Sequence, residues 1–212
     1  MATLVLDHLV VAAARLDQGE DYVEATIGAR PKRGGRHAAM GTQNSVLRLG
    51  EQTYLEVIAI DPHAHAPARP RWFELDRPEM QSVLAVSPRL IHWVARCDDI
   101  DAARRVCPLD PGPVHALSRG DYRWRITIPD DGHLPGGGVL PTLIEWSDTR
   151  HPADAMPDER VRLTALAAAH PTPGLMRATL RALGLSDTLK VSYDMAPRLV
   201  AMLATPRGPV SL

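Results

Sequence analysis

His8, Glu56, His92 and Glu145 are the residues whose types and spacing could do chemistry. Moving the chain along itself by 84 residues places Leu6, His8, Val10, Leu16 and Asp17 on Leu90, His92, Val94, Ile100 and Asp101. Moving it by 89 places Thr53, Leu55 and Glu56 on Thr142, Ile144 and Glu145, and loop-length variation absorbs the slip of five between the two offsets. The repetition pairs imidazole with imidazole and carboxylate with carboxylate, both of them ligands of divalent metals. Alternate residues of a strand share a face, so His8 lies in a row with Leu6 and Val10, His92 with Leu90 and Val94, and Glu56 with Tyr54 and Ile58. Glu145 shares its row with Leu143. A carboxylate buried unpaired in such a row is costly or takes up a proton. A divalent cation reached by all four residues would offset both charges and leave positions open for a substrate. It could then polarise a carbonyl or stabilise an enediolate, with Glu145 or Glu56 moving the proton.

Those residues must be held by short elements, because 19 prolines and 15 glycines punctuate the chain. Residues 4–12 read as a mostly buried strand. A helix follows, with Asp17 and Glu20 as a capping box, Tyr22, Val23 and Ile27 as its apolar stripe, and Gly28 as its stop. Residues 45–49 and 53–60 are strands joined at Gly50-Glu51. GGRHAAMGTQN before them reads as a Gly-rich loop offering His37, Thr42, Gln43 and Asn44, and His37 could replace one metal ligand. Residues 63–88 read as a Pro- and Arg-rich connection with one helical turn. The pattern then returns: LIHWVARCDDIDAARRV runs from strand into helix near Asp98 or Asp99, 113–118 and 122–128 are strands, and HLPGGGV leads into a final strand, LPTLIEW. Two modules of strand, helix and three strands result, 1–62 and 89–149. In residues 150–212, DERVRLTALAAAH and GLMRATLRALGL read as helices. TLKVSYDM and RLVAMLATP read as a hairpin, with a last short strand after Gly208, and this tail is expected to pack on the second module.

Composition narrows the function classes. Of 212 residues 45% are apolar, and 24 Lys plus Arg against 25 Asp plus Glu leave a formal net charge of −1. No basic stripe is present, which argues against a nucleic-acid binder. No apolar run approaches the roughly 18–20 residues that cross a bilayer, and Asp7 and His8 interrupt the first one, so a cytoplasmic protein without a membrane anchor is expected. Cys97 and Cys107 have no CxxC spacing and are expected to be free thiols. His63 and His65 have ligand-like spacing but lie in the connection with no third partner. Gly136–Gly138 lack the Lys-Ser/Thr of a phosphate loop. Ser45, Ser118 and Cys97 show no nucleophile elbow. Arg48, Arg123 and Arg125 stand on strands, where one facing inward could hold a substrate carboxylate.

The order of modules and of His, Glu, His, Glu resembles the vicinal oxygen chelate superfamily, which includes glyoxalase I, extradiol dioxygenases and the fosfomycin and bleomycin resistance proteins. LDHLVVAAARLDQG, GGRHAAMGTQNSVLRLG, TYLEVIAIDP, RWRITIPDDG and LPTLIEW are similar to its glyoxalase-like domain proteins, over nearly the whole chain. The resemblance implies an α+β fold: paired βαβββ modules forming a cupped mixed sheet, with a C-terminal helical and hairpin extension. It implies His8, Glu56, His92 and Glu145 as ligands of a divalent metal ion (Zn, Ni, Mn or Fe), and Glu145 and Glu56 as the proton-moving groups. His37, Asn44, Arg48 and Arg125 are the candidate substrate contacts. The expected activity is that of a metal-dependent isomerase or lyase acting on a small oxygenated molecule. The alternatives are a metal-free small-molecule binding or resistance protein and an extradiol-type dioxygenase. The cup could be completed within one chain or across a homodimer.

Overall fold

The computed structural model describes residues 4–212; the first three residues of the expected first module lie outside the described residues. The first half runs β1 (Leu4–Ala12), α1 (Leu16–Ile27), β2 (Lys32–His37), β3 (Thr42–Arg48) and β4 (Tyr54–Ile60). After α2 (Pro78–Val86) the second half runs β5 (Arg89–Cys97), α3 (Ile100–Val106), β6 (Val114–Arg119), β7 (Tyr122–Thr127) and β8 (Thr142–Trp146). All eight strands form one mixed sheet in the order β2-β3-β4-β1-β5-β8-β7-β6. The two central strands β1 and β5 are antiparallel, and each has a parallel neighbour, β4 or β8. Reading outward from the centre gives the same arrangement on either side. The sheet curls into a cup whose edge strands approach each other where the Arg119 side chain passes over Gly35.

Alternation along the strands separates two cores. Val10, Ala12, Ile58, Val94, Trp124, Ile126 and Ile144 face into the cup, joined there by Trp72 and Phe73. Leu9, Val11, Leu55, Val57, Trp93, Ala95 and Leu143 face outward, where α1 covers them with Leu16, Val23 and Ile27. The rest of the outer face is covered by the C-terminal part: β9 (Arg162–His170), α4 (Pro173–Ala182), β10 (Lys190–Tyr193), β11 (Arg198–Thr205) and β12 (Gly208–Ser211). Its strands form a second sheet, β10-β9-β11-β12.

Several local expectations are corrected. DERVRLTALAAAH holds a strand, β9, not a helix: it pairs on both sides, with β10 and β11, and buries Leu166, Ala168 and Ala169, so sheet pairing overrides alanine's helix preference. Consequently β10 and β11 are not a hairpin with each other; β9 lies between them, and the hairpin is β11–β12. The Gly-rich stretch before β3 is largely strand, with β2 irregular between Arg33 and Gly35. Arg15 and not Asp17 precedes α1, without a side-chain cap, and Glu20 turns toward the sheet to accept from Ser45 Oγ. The connection holds more structure than one turn: a 3₁₀ turn at Trp72–Glu74 and the nine-residue α2, started by Pro78. Among the described residues no helix is long and apolar enough to cross a membrane.

Gly138, at the end of a 3₁₀ turn before β8, has φ +93°, and a Cβ there would run into Ile91 O. Its own carbonyl accepts from His92. Gly138→Ala is therefore expected to destabilise the chain by about 2–3 kcal/mol in a denaturant titration, from backbone strain and a displaced β5.

Candidate functional site

The cup interior brings some of the sequence-derived candidates together and leaves others outside. His8, His37, Asn44, Tyr54, Glu56, Trp72, Phe73, Arg119, Trp124 and Trp146 line a small cavity of about 30 Å³. His8 comes from β1 and Glu56 from its parallel neighbour β4, with His8 Nε2 and Glu56 Oε2 3.8 Å apart. The other Glu56 oxygen accepts from Asn44 Nδ2 at 2.6 Å. Asn44 Oδ1 in turn accepts from Gly35 N–H at 2.8 Å and from Arg119 Nη1 at 3.1 Å. His37 is within 3.2 Å of Thr42 Oγ1 through Nδ1, and its Nε2 is 3.4 Å from Arg119 Nη1. Burial, opposed by Glu56 and assisted by Arg119, pushes the His37 imidazole down to about 4, so it is neutral at physiological pH.

Asp7 orients His8. Adjacent strand residues normally point to opposite faces, but the β1–β5 register shifts between Leu6 and His8, and this irregularity lets the two side chains meet. Asp7 Oδ1 is 2.6 Å from His8 Nδ1. Asp7 Oδ2 accepts from Trp146 Nε1 at 2.9 Å and from His151 Nε2 at 3.1 Å. Since His151 Nδ1 accepts the Ala153 N–H, its Nε2 carries the proton. Burial would raise the Asp7 carboxyl, but the hydrogen bonds from His151 and His8 outweigh it and hold the carboxyl below the usual range. An ionised Asp7 fixes the proton of His8 on Nδ1 and leaves Nε2 facing Glu56. Tyr54 stacks on the His8 ring, 4.6 Å between centroids, and restricts its rotation.

The four-residue metal set is not assembled. Glu145 lies on the outer face with Leu143: it accepts the Ile100 N–H at the start of α3 at 2.7 Å and pairs with Arg125 at 3.3 Å. Arg125, also bound to Asp101, is outside the cup with it. The reason is parity. Glu56 lies beside Val10 in the β1–β4 register, whereas the residue beside Val94 in β5–β8 is Thr142. Glu145 is three residues further on, and an odd step reverses the face. His92 faces inward but is spent: Thr142 N–H donates to its Nε2 at 3.1 Å, Thr142 Oγ1 lies 3.0 Å from the same nitrogen, and Nδ1 is 3.3 Å from Gly138 O. Burial lowers it to about 3 against the Gly138 bond. Arg48 lies at the end of β3, donating from Nε to Gly50 O, and does not line the cavity.

Only His8 and Glu56 of the set therefore converge, and His37, the candidate replacement, does not complete the three protein ligands of a catalytic zinc site: its Nδ1 lies by Thr42 Oγ1 and its Nε2 by Arg119 Nη1. Among the described residues no group of three or more His, Cys, Asp or Glu is placed to hold a metal ion. The side chains present do not fit a resident divalent ion. Adding Mn, Ni, Zn or Fe to the purified chain is expected to move its melting temperature by less than about 1 °C. A rise of several degrees, lost in His8→Ala, would mean that a third donor swings in. Cys97 is no nucleophile either: burial pushes its thiol up to about 12, and Sγ donates to Ile144 O.

Sequence reasoning missed Asp7, Arg119, His151 and Trp72. Asp7 stood beside His8 in the text, but only the register irregularity puts both on one side. Arg119 reaches the site only because the sheet curls until its edges meet, and His151 and Trp72 come from segments outside the two modules.

A family profile described as a glyoxalase-like domain matches residues 6–184. No curated protein matches the chain. Among solved structures, a hypothetical protein from Staphylococcus aureus superposes with TM-score 0.62 at 12% identity, covering 92% of this chain and 88% of its own. Methylmalonyl-CoA epimerase from Mycobacterium tuberculosis gives 0.40 at 18% identity over 66% of this chain and 85% of its own. A single-substitution variant of the Streptomyces coelicolor methylmalonyl-CoA epimerase, in complex with 2-nitronate-propionyl-CoA, gives 0.42 at 17% over 69% and 97%. The first of these likenesses shows a shared fold. The profile match spans most of the chain and shows that this protein belongs to the glyoxalase-like domain family.

Proposed function

We propose that the chain is a proton-transferring enzyme of isomerase or lyase type, acting on a small oxygenated compound held in the cup. The observation that carries this is the Asp7–His8–Glu56 arrangement: an imidazole with one nitrogen bound to a buried carboxylate and the other 3.8 Å from a second carboxylate, inside an aromatic-walled cavity. Glu56 Oε2 is the base that removes a proton from carbon next to a carbonyl. His8, whose ring proton is held on Nδ1 by Asp7, turns its bare Nε2 to the same space, where it can take a hydroxyl proton from the substrate. Returning the proton to carbon gives isomerisation; expelling a group from the neighbouring carbon gives elimination. Aromatic side chains wall the cavity around the carboxylate.

The test is solvent exchange. In D₂O the wild-type chain is expected to incorporate deuterium next to the carbonyl of some members of a panel of small 2-oxo and 2-hydroxy compounds, read by proton NMR, and His8→Ala to lose this. Saturable binding of such compounds without exchange in wild type would favour the second reading, a binding protein that sequesters a planar ligand. That reading draws on Trp72, Phe73, Trp124 and Trp146 around the cavity.

A further inference from the structure

We infer that the substrate is a carboxylate and that Arg119 and the indole N–H of Trp72 hold its charged end; this rests on the proton-transfer reading for what happens at the other end. Two independent observations point to an acceptor-rich ligand. Arg119 is half-buried, lines the cavity, and has no carboxylate within 4.0 Å among the described residues, whereas most arginines of the chain form ion pairs. Its Nη1 is engaged with Asn44 Oδ1 at 3.1 Å and lies 3.4 Å from His37 Nε2. The remaining guanidinium donors have no hydrogen-bond partner among the described residues. A guanidinium presents paired donors that match the two oxygens of a carboxylate.

Trp72 is the second observation. It is 5% exposed, lines the same cavity, and its Nε1 is buried without an acceptor. Buried N–H groups without acceptors are rare, because each forfeits the water it had in the unfolded chain. A ligand oxygen would supply what the protein withholds. The uncharged His37 beside these donors competes with neither of them for an anion.

The fold supports this placement. Arg119 stands on the edge strand β6 and crosses to the opposite edge over Gly35, where a Cβ would meet Arg119 Cδ at 2.7 Å. Asn44 links the two ends of the site: its Oδ1 takes Arg119 and its Nδ2 donates to Glu56 at 2.6 Å. A carboxylate at Arg119 therefore sets the carbon next to it toward Glu56 and His8, where the reading above needs the acidic C–H. The cavity is about 30 Å³, so the ligand is small, and the Trp72–Phe73 turn forms part of its wall. That turn stores strain, with φ of 60° at Phe73 and 58° at Glu74.

Glu56 and the bound carboxylate are like charges, so removing the Glu56 charge should strengthen anion binding while abolishing proton transfer. The experiment is titration calorimetry with pyruvate and phenylpyruvate, with their methyl esters as uncharged controls, on the full chain and three variants. Wild type is expected to bind the acids at least tenfold more tightly than the esters. Arg119→Gln should lose about 10- to 100-fold for the acids only, the loss of a charge-assisted pair. Trp72→Phe, which keeps an aromatic ring but no donor, should lose about fivefold. Glu56→Gln should bind the acids more tightly than wild type. Esters binding as well as acids, an unchanged affinity in Arg119→Gln, or no binding of either class at millimolar concentration would each overturn the inference. Far-UV circular dichroism checks that Arg119→Gln folds, and the gain in Glu56→Gln cannot arise from misfolding. The two readings fail separately. Acid-selective binding without deuterium exchange in wild type leaves the anion anchor and removes the proton transfer. Exchange that proceeds equally in Arg119→Gln removes the anchor alone.

Discussion

Replacing Glu56 by glutamine is expected to slow deuterium exchange by a factor of about 10²–10⁴ while leaving the cup intact. The side chain is buried, and its Oε1 takes the Asn44 amide at 2.6 Å, a bond that a glutamine oxygen accepts equally well. The glutamine NH₂ then faces His8 Nε2, whose lone pair is exposed because Asp7 holds the other ring proton. Every contact has a counterpart in the variant except the ability to take a proton. A melting temperature near that of wild type, together with the lost exchange, separates chemistry from folding. Exchange at the wild-type rate would remove Glu56 from the proton path.

Acidification is expected to destabilise the chain from about pH 6.5 downward, beginning before ordinary carboxylates titrate. His37 and His92 stay neutral in the folded chain down to about 4 and about 3, chiefly through burial. In the unfolded chain an imidazole takes up its proton near 6.5. The unfolded state therefore binds more protons than the folded one as pH falls below about 6.5. The stability these residues contribute is complete above that value and declines toward 4 for His37 and 3 for His92. Each costs about 1.4 kcal/mol per pH unit in that window, so together they remove several kcal/mol by pH 4, on the order of a typical domain's whole stability. Asp7, held below the usual carboxylate range, contributes in the same direction only at lower pH: its stabilisation is present above the unfolded value and lost beneath it. Urea midpoints measured from pH 7.5 to 4.5 should fall with a slope approaching two protons. His92→Gln, whose amide can serve both Gly138 O and the Thr142 N–H, should reduce that slope by about one. A flat profile would show that neither imidazole is buried in neutral form.

What the letters alone determined was set by patterns local to each element. The apolar run of β1, the return of its text at β5, the helix stop at Gly28 and the punctuation by Gly and Pro were enough for two similar halves of strand, helix and strands, and the family resemblance implied the cup they form; of the four ligands it implied, His8 and Glu56 face inward as neighbours. The sequence also marked His37 and Asn44, whose stretch proved to be an edge strand and its partner, not a loop. Tertiary structure decided the rest. Whether a glutamate on β8 faces in or out turns on a single residue of register, and a loop-length slip of five hides an odd step; that sent Glu145 to cap α3 and put Thr142 in its place against His92. Asp7 joined His8 because the β1–β5 register shifts beside it, and Arg119 arrived from the far edge because the sheet curls until β2 and β6 meet. The alanine-rich β9 became a strand because partners on both sides and a buried face outweigh intrinsic helix preference. Local spacing fixes which residues share a row; which rows face each other across a cavity depends on register and closure, and those are properties of the whole sheet.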